Sequence, residues 1–384
     1  MRKLNIAYVS ASDPRDKKVW SGTHNTVFNT IDKNVGNVVP LGPYRPFFAT
    51  FIGKSLSFLS KILFKKRYNY RHSRLLAISY ANYFNRILKK GNFDLIVAPA
   101  ALCELAYIKT DIPIIYISDA TIQLSLNYHK SLTGLLSYSE KETLKIEQLA
   151  YEICDKIIVS SDWALKSLIE EYKIPADRIM NLPFGANMCL LPEAKDLSNK
   201  FTGDTCRLLF IGVYWESKGG DIAFNCLIEL LNLGIDAELT ICGCIPPEEF
   251  RHEKMKIIPF IDKNSPDGMS KLYDIFLQHD FLILPTRFDC TPIVICEASA
   301  FAIPCFVANT GGVAGHLSEG KNGYLIDYND TGKGYAQKIA EVFTDKEKFN
   351  LLKKTSREEF DNRLNWDIYG EKLKMIIDAI LSNE

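Results

Sequence analysis

The chain has 384 residues, of which 47% are hydrophobic, 24% charged and 11% aromatic. This length exceeds what one ordinary core holds, so two domains are expected, and the average composition excludes collagen-like, coiled-coil and wholly disordered chains. Lys and Arg balance Asp and Glu at 46 each, but residues 1–187 carry 25 basic against 16 acidic residues and the remainder carries 21 against 30. This asymmetry predicts an anionic partner for the first half only.

In the first half, short apolar runs alternate with longer helical patterns, which is typical of parallel sheets with helical crossovers. The predicted strands are Leu4–Ser10, Leu95–Ala98, Ile114–Ile117 and Lys156–Ser160. The predicted helices cover much of 46–66, 72–90, 139–152 and 162–172. The pattern indicates one doubly wound, Rossmann-like α/β domain over residues 1–187.

The segment 44–74 combines large apolar side chains with cations and lies in a stretch, between Asp32 and Asp94, that has no acidic residue. This combination suits an amphipathic helix on an anionic membrane surface. A core helix with a solvated basic rim fits the pattern as well. No window approaches 18 uncharged apolar residues, so a membrane-spanning helix is not expected. Nucleic-acid binding is not expected either, because no recognition fold accompanies the charge.

The second half repeats the plan of the first. Its predicted strands are Arg207–Gly212, Glu238–Cys242, Lys256–Phe260, Phe281–Pro285, Pro304–Val307 and Gly323–Ile326. The seam falls where Pro183–Asn187 ends the first unit and the polar stretch Glu193–Asp204 leads into the next strand. A second Rossmann-like domain is therefore predicted over 188–360, followed by a helix over 361–384 that returns to the first domain. Two such sheets facing each other would form a central cleft, beyond the carboxyl ends of their strands.

The ten cysteines form no CxxC pair and lie mostly in apolar runs, as expected of reduced core thiols. This usage predicts a cytoplasmic protein, attached peripherally at the inner face of the plasma membrane if segment 44–74 binds lipid. Neither Cys242-x-Cys244 nor the six histidines have the spacing of a zinc site, so no metal and no cofactor is expected.

The strongest motif joins the strand Phe281–Pro285 to a helix that is predicted to begin near Pro292. A proline at the first helical position with free amides beside it is typical of a phosphate site at a helix N-terminus. Two carboxylates, Asp289 and Glu297, flank the same turn eight positions apart. The turn is therefore a candidate for binding a phosphate group between two acids.

Three further elements stand between a strand and a helix. Lys218 precedes paired glycines, so its ammonium can reach a pyrophosphate while the backbone approaches closely. Gly22 lies in the loop after the first strand, a natural place for close approach to a phosphate or a sugar. Asp119 follows the strand Ile114–Ile117, where it would contact a sugar or merely cap a helix.

Together these motifs resemble the retaining, nucleotide-sugar-dependent glycosyltransferases of family 4, which have the two-domain GT-B architecture. That family has two acids separated by seven residues, usually both Glu, then an Ala-rich helix, a Gly-x-Pro turn, a strand and a Gly-Gly loop. The matching segments here are Asp289-x7-Glu297, Ala298–Pro304, Asn309–Gly312 and Asn322–Tyr324. The resemblance covers about residues 205–330.

Two positions depart from the family pattern. Asp289 replaces the first Glu, and Val213 replaces the Arg that usually follows Gly212. One cation is therefore missing, so that Arg287 or another residue substitutes for it or donor binding depends on Lys218 alone.

The resemblance implies that the second domain binds a nucleoside-diphosphate sugar and the first domain the acceptor. Asp289 would contact the sugar near its reacting carbon, Glu297 would bind the ribose hydroxyls, and Lys218 would stabilise the leaving pyrophosphate. Asp119 is a weak candidate for a sugar contact. The other implied donor contacts, to phosphate or base and mostly through backbone groups, are Gly22, Gly212, Phe260, Ile261, Thr291, Pro292 and Ile293.

The implied reaction moves a sugar to a glycan or lipid-linked acceptor, with retention of anomeric configuration, in the synthesis of a cell-envelope polysaccharide or glycolipid. No protein nucleophile is required, because relatives are thought to let the acceptor attack on the face that the nucleotide leaves. Two alternatives stay open. One is a GT-B protein of other chemistry, such as a nucleotide-sugar epimerase or a sugar-phosphate synthase. The other is a non-catalytic nucleotide-sugar binder, which Asp289 and Val213 favour.

Overall fold

The structure, a computed structural model, describes residues 3–197 and 203–382. The chain divides into two units: one comprises the residues up to Leu182 together with those from Tyr369 onward, and the other runs from Pro183 to Ile368. The sequence-based boundary after residue 187 lies slightly later than this division. The linker predicted over Glu193–Asp204 falls partly outside the described residues, as do the last two positions of the predicted 361–384 segment.

The described part of the first unit contains a six-stranded parallel sheet, in the order β2-β1-β3-β4-β5-β6. Its strands are β1 (Leu4–Tyr8), β2 (Gly36–Pro40), β3 (Leu95–Pro99), β4 (Ile114–Ser118), β5 (Lys156–Val159) and β6 (Ile179–Asn181). The sequence predicted β1, β3, β4 and β5. It missed β2 and β6, because both are short edge strands: β2 begins and ends in Gly and Pro, and β6 has only three residues.

Helices cover this sheet. They are α1 (Thr23–Asn34), α2 (Phe47–Phe64), α3 (Arg74–Leu88), α4 (Leu102–Leu105), α5 (Ile122–Ser125), α6 (Ser137–Glu152) and α7 (Asp162–Glu170). Every residue of β3 and β4 is buried, which is why these strands are continuous apolar runs rather than alternating ones. Ser73 and Ser161 start α3 and α7 by accepting hydrogen bonds from the N–H groups of Leu76 and Ala164.

The helix α2 bears on the expectations for segment 44–74. It is long and apolar enough, by length and composition alone, to cross a membrane, although it contains Lys54 and Lys61. The expectation that no helix of the chain spans a membrane stays a prediction. The alternative of a core helix is wrong, since only 17% of α2 is buried.

The second unit contains another six-stranded parallel sheet within the described residues, in the order β12-β11-β10-β7-β8-β9. Its strands are β7 (Cys206–Ile211), β8 (Ala237–Cys242), β9 (Met255–Ile258), β10 (Phe281–Leu284), β11 (Cys305–Ala308) and β12 (Gly323–Ile326). All six were predicted, with bounds that agree closely. From β7, near the middle of the sheet, the chain adds β8 and β9 on one side and then β10, β11 and β12 on the other. The direction of strand addition therefore changes between β7 and β10, and open α/β sheets bind ligands at such a switch point.

The helices of the second half are α8 (Trp215–Lys218), α9 (Gly220–Asn232), α10 (Pro266–Leu277), α11 (Ile293–Ala300), α12 (Lys333–Thr344), α13 (Lys346–Asn362) and α14 (Trp366–Ser382). The last helix begins in the second unit and belongs to the first from Tyr369 onward, as the sequence predicted. Its Gly370 lies so close to α1 that a Cβ there would come within 2.4 Å of the Asn34 side chain. Only a glycine allows this approach.

Candidate functional site

The candidate donor-site residues of the second unit follow neighbouring strands. Because the strands are parallel, the loops after β7, β9 and β10 leave the sheet at the same edge. Gly212 follows β7, Phe260 follows β9 and Asp289 lies in the loop after β10. The fold therefore brings together elements that are spread over 77 positions of the chain, from Gly212 to Asp289.

Gly212 makes room for the side chain of Lys218. A Cβ at position 212 would lie 2.8 Å from Lys218 Cγ and 3.1 Å from its Cβ, so the aliphatic stem of the lysine packs directly over the glycine backbone. The N–H of Gly212 donates to the carbonyl of Cys242 at 2.9 Å, which fixes this backbone against β8. The matching glycine of the sequence motif is therefore a positioning element for Lys218.

The turn after Lys218 requires glycine for two reasons. Gly219 has a φ of +74°, and a Cβ there would lie 1.9 Å from the carbonyl oxygen of Pro285. The next residue, Gly220, lies under the ring of the buried Trp215, which leaves no space for a side chain either. This contact brings the α8–α9 turn against the end of β10, and with it Lys218 against the loop that carries Asp289.

Lys218 and Asp289 form a salt bridge between Nζ and Oδ2. Their side chains are 26% and 12% exposed, so the pair is partly shielded from water. The carbonyl of Asp289 accepts a hydrogen bond of 3.1 Å from the N–H of Gly312, so the Gly-Gly loop after β11 supports the acid. The shorter Asp in place of the family's Glu thus contacts the lysine that the sequence assigned to the pyrophosphate.

Arg287 joins the β10 loop to the α8 turn. Its guanidinium donates to both carboxylate oxygens of Asp221, at 2.8 and 2.6 Å, and to the carbonyl of Glu216 at 2.5 Å. Burial favours the neutral form of Asp221, but the hydrogen bonds and charge of Arg287 hold the pKa of that carboxyl below its usual value. Arg287 is therefore engaged in a bidentate ion pair with Asp221. The side chain of Val213, at the position where the family usually has an Arg, is 59% exposed.

Glu297 lies on α11, where all residues from Ile295 to Ala300 are buried. Its side chain is 8% exposed, and among the described residues its Oε1 has no hydrogen-bond partner. The nearest cation is Lys263, whose Nζ lies 3.7 Å from this oxygen. The sequence analysis missed Lys263 as a site residue, although its position just after the β9 strand end was the signal that could have found it.

The N-terminus of α11 differs in detail from the prediction. Pro292 precedes the helix instead of occupying its first position. The N–H of Ile293 donates to the carbonyl of Thr291 at 3.0 Å, so it is engaged within the loop and is not one of the expected free amides. The reason is a tight local turn, which the motif Thr291–Ile293 forms before the helix begins.

The predicted base-binding residues stand in the loop between β9 and α10. Phe260 is 66% exposed and Ile261 is half-buried. Ser265 closes this loop by accepting a hydrogen bond of 3.1 Å from the N–H of Gly268 at the start of α10. The loop therefore presents an aromatic ring to solvent.

The first unit contains the other two predicted residues. Gly22 is buried with a φ of +92° and follows Trp20 and Ser21, which also have positive φ values of 50° and 55°. The indole N–H of Trp20 donates to Asp119 Oδ2 at 3.1 Å. Asp119 is not the cap of α5, because Thr121 fills that role. Asp119 instead fixes the conformation of the loop that contains Gly22.

Among the described residues, no three His, Cys, Asp or Glu side chains are placed together to hold a metal ion. The expectation that the reaction needs no metal and no cofactor stays a prediction.

Comparisons with known proteins identify the family. A model described as glycosyltransferase family 4 matches residues 44–188, and a model described as glycosyl transferases group 1 matches residues 205–345. A D-inositol 3-phosphate glycosyltransferase of Corynebacterium efficiens is 24% identical over 228 residues, which is 54% of this chain and 53% of the relative. The chain spans less than two thirds of the length of the first curated relatives it matches.

Solved structures agree on the fold. A sucrose-phosphate synthase from Thermosynechococcus elongatus matches with a TM-score of 0.69 at 14% identity, over 100% of both chains. Anabaena HepE in complex with UDP and glucose matches with a TM-score of 0.64 at 13% identity, over 98% of this chain and 100% of that one. Because one family model covers each half and the two α/β units have the fold of these structures, the chain belongs to the family 4 glycosyltransferases of GT-B type.

Proposed function

We propose that the protein is a glycosyltransferase that moves a sugar from a nucleoside-diphosphate sugar to an acceptor hydroxyl, with retention of anomeric configuration. The observation that carries the proposal is the salt bridge between Lys218 and Asp289, which places the family's phosphate lysine against its first acid. Glu297, the second acid, lies on the helix that follows the same loop. HepE, which shares the fold, was solved in complex with UDP and glucose.

In this proposal Lys218 stabilises the leaving group. Negative charge gathers on the departing diphosphate in the transition state, and an ammonium already held in place meets that charge without reorganising. Gly212 and the α8–α9 turn hold the lysine stem, so little conformational freedom is lost when the diphosphate binds. The diphosphate takes the position of the Asp289 carboxylate on the lysine, and Asp289 then turns towards the donor sugar.

Glu297 has the properties of a hydroxyl-binding acid. A buried carboxylate oxygen without a hydrogen-bond partner is costly, and the cost is relieved when a ligand donates to it. Two neighbouring hydroxyls of a ribose would donate hydrogen bonds to this oxygen and to the other oxygen of the same carboxylate. Lys263, at 3.7 Å, keeps a positive charge near the carboxylate while no ligand is bound.

The acceptor that we propose is a glycan or a lipid-linked glycan, in the synthesis of a cell-envelope polysaccharide or glycolipid, and the location is the cytoplasm. The basic character of the first half supports an anionic acceptor or surface. The roles of Gly22 and Asp119 in this binding stay predictions. The strained backbone at Trp20 and Ser21, directly before Gly22, supports them, since such conformations cluster at ligand-binding loops.

The test has a binding arm and a reaction arm. Calorimetry with UDP, GDP and ADP measures donor-nucleotide affinity, and a nucleotide-release assay with a membrane glycolipid extract as acceptor measures transfer. Lys218→Ala and Glu297→Ala should each reduce release at least about a hundredfold, because each removes a charged contact to the donor. Lys271→Ala and Glu253→Ala, at exposed positions of the same unit, are the matched controls.

Each alternative has its own outcome in these assays. Nucleotide binding without release, with any acceptor, would indicate a non-catalytic binder. Release that does not depend on an acceptor would indicate other GT-B chemistry. Unchanged turnover in both site variants would remove the site assignment. The anomeric configuration of the product, read by proton NMR coupling constants, decides whether the transfer retains or inverts it.

A further inference from the structure

The helix α2 is attached to its unit by small residues. Its buried positions are Ala49, Gly53 and Ser60, which lie on one side of the helix. At Gly53 a Cβ would come within 2.6 Å of the Tyr70 Cβ, so the helix backbone lies directly on the segment that precedes α3. This is the reverse of an ordinary surface helix, which turns its large apolar side chains towards the core.

The large apolar side chains of α2 point outward. Ten of them are between 45% and 79% exposed: Phe47, Phe48, Phe51, Ile52, Leu56, Phe58, Leu59, Ile62, Leu63 and Phe64. Leu75 and Ile78, at the start of the neighbouring α3, are exposed as well. Monomeric soluble proteins rarely expose a continuous apolar patch of this size, so the face is an interaction surface.

The charged residues around this apolar face are cations, which favour an anionic partner. Lys54 and Lys61 are seven positions apart and therefore project in the same direction, along one border of the apolar face. Lys65, Lys66 and Arg71 follow the helix and are exposed. The sequence between Asp32 and Asp94 contains no carboxylate, and the carboxylate of Glu142 contacts this segment only at Tyr68 and Arg74, beyond the end of α2. A long apolar strip with cations along one border and after its end matches a bilayer with anionic headgroups.

A flat orientation fits α2 better than a spanning one. A spanning helix would place Lys54 and Lys61 inside the hydrocarbon and would have to leave the protein surface that its small residues contact. Buried residues flank the helix, with Leu41 six positions before its first residue and Ser73 nine positions after its last. Lying in the interface, the helix buries its outer face in the acyl region and keeps its lysines at the headgroups.

We propose that α2 is a membrane-docking helix that lies flat in the surface of an anionic bilayer, with the side of Phe51 and Phe58 in the acyl region. The evidence for membrane docking comes from α2 alone. The idea that docking brings the protein to a lipid-linked acceptor rests on the proposed function. The partner is the lipid surface itself, and neither a second copy of the chain nor another protein is needed to cover the face.

The test uses the full chain and sedimentation with vesicles. The wild type should bind vesicles of phosphatidylcholine and phosphatidylglycerol, bind pure phosphatidylcholine much less, and dissociate as salt is raised. Phe51→Glu with Phe58→Glu should weaken binding about tenfold or more. Lys54→Glu with Lys61→Glu should abolish the preference for anionic lipid. Leu351→Glu and Met375→Glu, at apolar positions that are 61% and 71% exposed elsewhere, are the matched controls.

Four results would overturn the proposal. The first is wild-type protein that does not sediment with anionic vesicles. The second is a Phe51→Glu, Phe58→Glu variant that binds them as the wild type does while it keeps its melting temperature. The third is a dimer in light scattering that the same variant converts to a monomer, which would indicate that a second copy covers the face. The fourth is resistance of the membrane-bound protein to carbonate extraction, which would indicate a spanning helix. Lys218→Ala should bind vesicles normally, so failure of the catalytic site and failure of the docking helix are distinguishable.

Discussion

Lys218 and Asp289 are 71 positions apart in the chain and form a salt bridge between the α8–α9 turn and the loop after β10. In the resting protein a carboxylate therefore occupies the position on the lysine that the proposed function gives to a diphosphate. Binding of the donor nucleotide has to exchange one anion for another. This exchange is the basis of the first prediction.

Asp289→Asn should tighten the binding of a nucleoside diphosphate and slow sugar transfer. The amide no longer competes for Lys218, and a partly shielded ion pair of about 1 kcal/mol corresponds to an affinity gain of about fivefold. Transfer should fall because the acid that faces the donor sugar is lost. Calorimetry with UDP, GDP and ADP and the nucleotide-release assay measure the two effects. Weaker nucleotide binding in Asp289→Asn would show that the carboxylate helps to hold the nucleotide instead of competing with it.

Gly212→Ala should lower nucleotide affinity and leave the fold intact. The added Cβ would meet the Lys218 stem at 2.8 Å, and the flexible lysine moves more easily than the backbone. We expect about tenfold weaker binding and a nearly unchanged melting temperature. Gly203→Ala is the control, since the nearest atom there is at 3.5 Å. A large loss of stability in Gly212→Ala with unchanged affinity would assign the glycine to folding alone.

Asp221→Asn separates two roles for Arg287. If Arg287 joins the two loops, losing the bidentate ion pair should lower the free energy of unfolding by about 1–2 kcal/mol and should not strengthen nucleotide binding. If Arg287 replaces the cation missing at Val213, releasing it from Asp221 should tighten binding. The structure favours the first outcome. Thermal unfolding and calorimetry on the same variant distinguish the two.

Glu147 makes the stability of the first unit depend on pH. Burial raises the pKa of this carboxyl to about 7, although Tyr151 and the N–H of Ile122 donate to it. The folded state therefore binds the proton more tightly than the unfolded state, and the free energy of unfolding falls as pH rises from about 4.5 through 7.

Glu147→Gln removes this titration. Relative to the variant, the wild type should lose up to about 3 kcal/mol of stability between pH 5 and pH 8. Melting temperatures at several pH values measure the difference. Glu152→Gln, at the exposed end of the same helix, is the control. Parallel curves for the wild type and Glu147→Gln would contradict the prediction.

Periodicity was sufficient to predict the sheet of the second unit, because its strands are buried apolar runs separated by helices of ordinary length. It failed for β2 and β6, where pairing with a neighbour along one edge makes a strand of residues that have weak preferences of their own. The motif also predicted Lys218, Asp289 and Glu297 as site residues, and their roles stay predictions. Their partners could not be predicted, since contacts such as Lys218 with Asp289 or Lys263 with Glu297 depend on the loops that the fold brings together.

Sequence could suggest the amphipathic character of segment 44–74, but it could not show which side of α2 faces the protein. Hydrophobic periodicity assumes that the larger apolar residues are buried. At Gly53 the contact with Tyr70 leaves no room for a side chain, the other buried positions of α2 are Ala49 and Ser60, and the phenylalanines lie on the outer side. That result depends on the packing distance between two elements, which no local pattern encodes.

In the proposed function, the salt bridge of Lys218 and Asp289 would also discriminate among anions. Inorganic phosphate would meet a lysine whose charge is already balanced, and it has no ribose whose contact with Glu297 offsets the breaking of the salt bridge. A nucleotide that engages Glu297 through its ribose would gain additional hydrogen bonds when it displaces the carboxylate. Asp289 would thus keep the empty site from being blocked by small ions and leave it open to nucleotides.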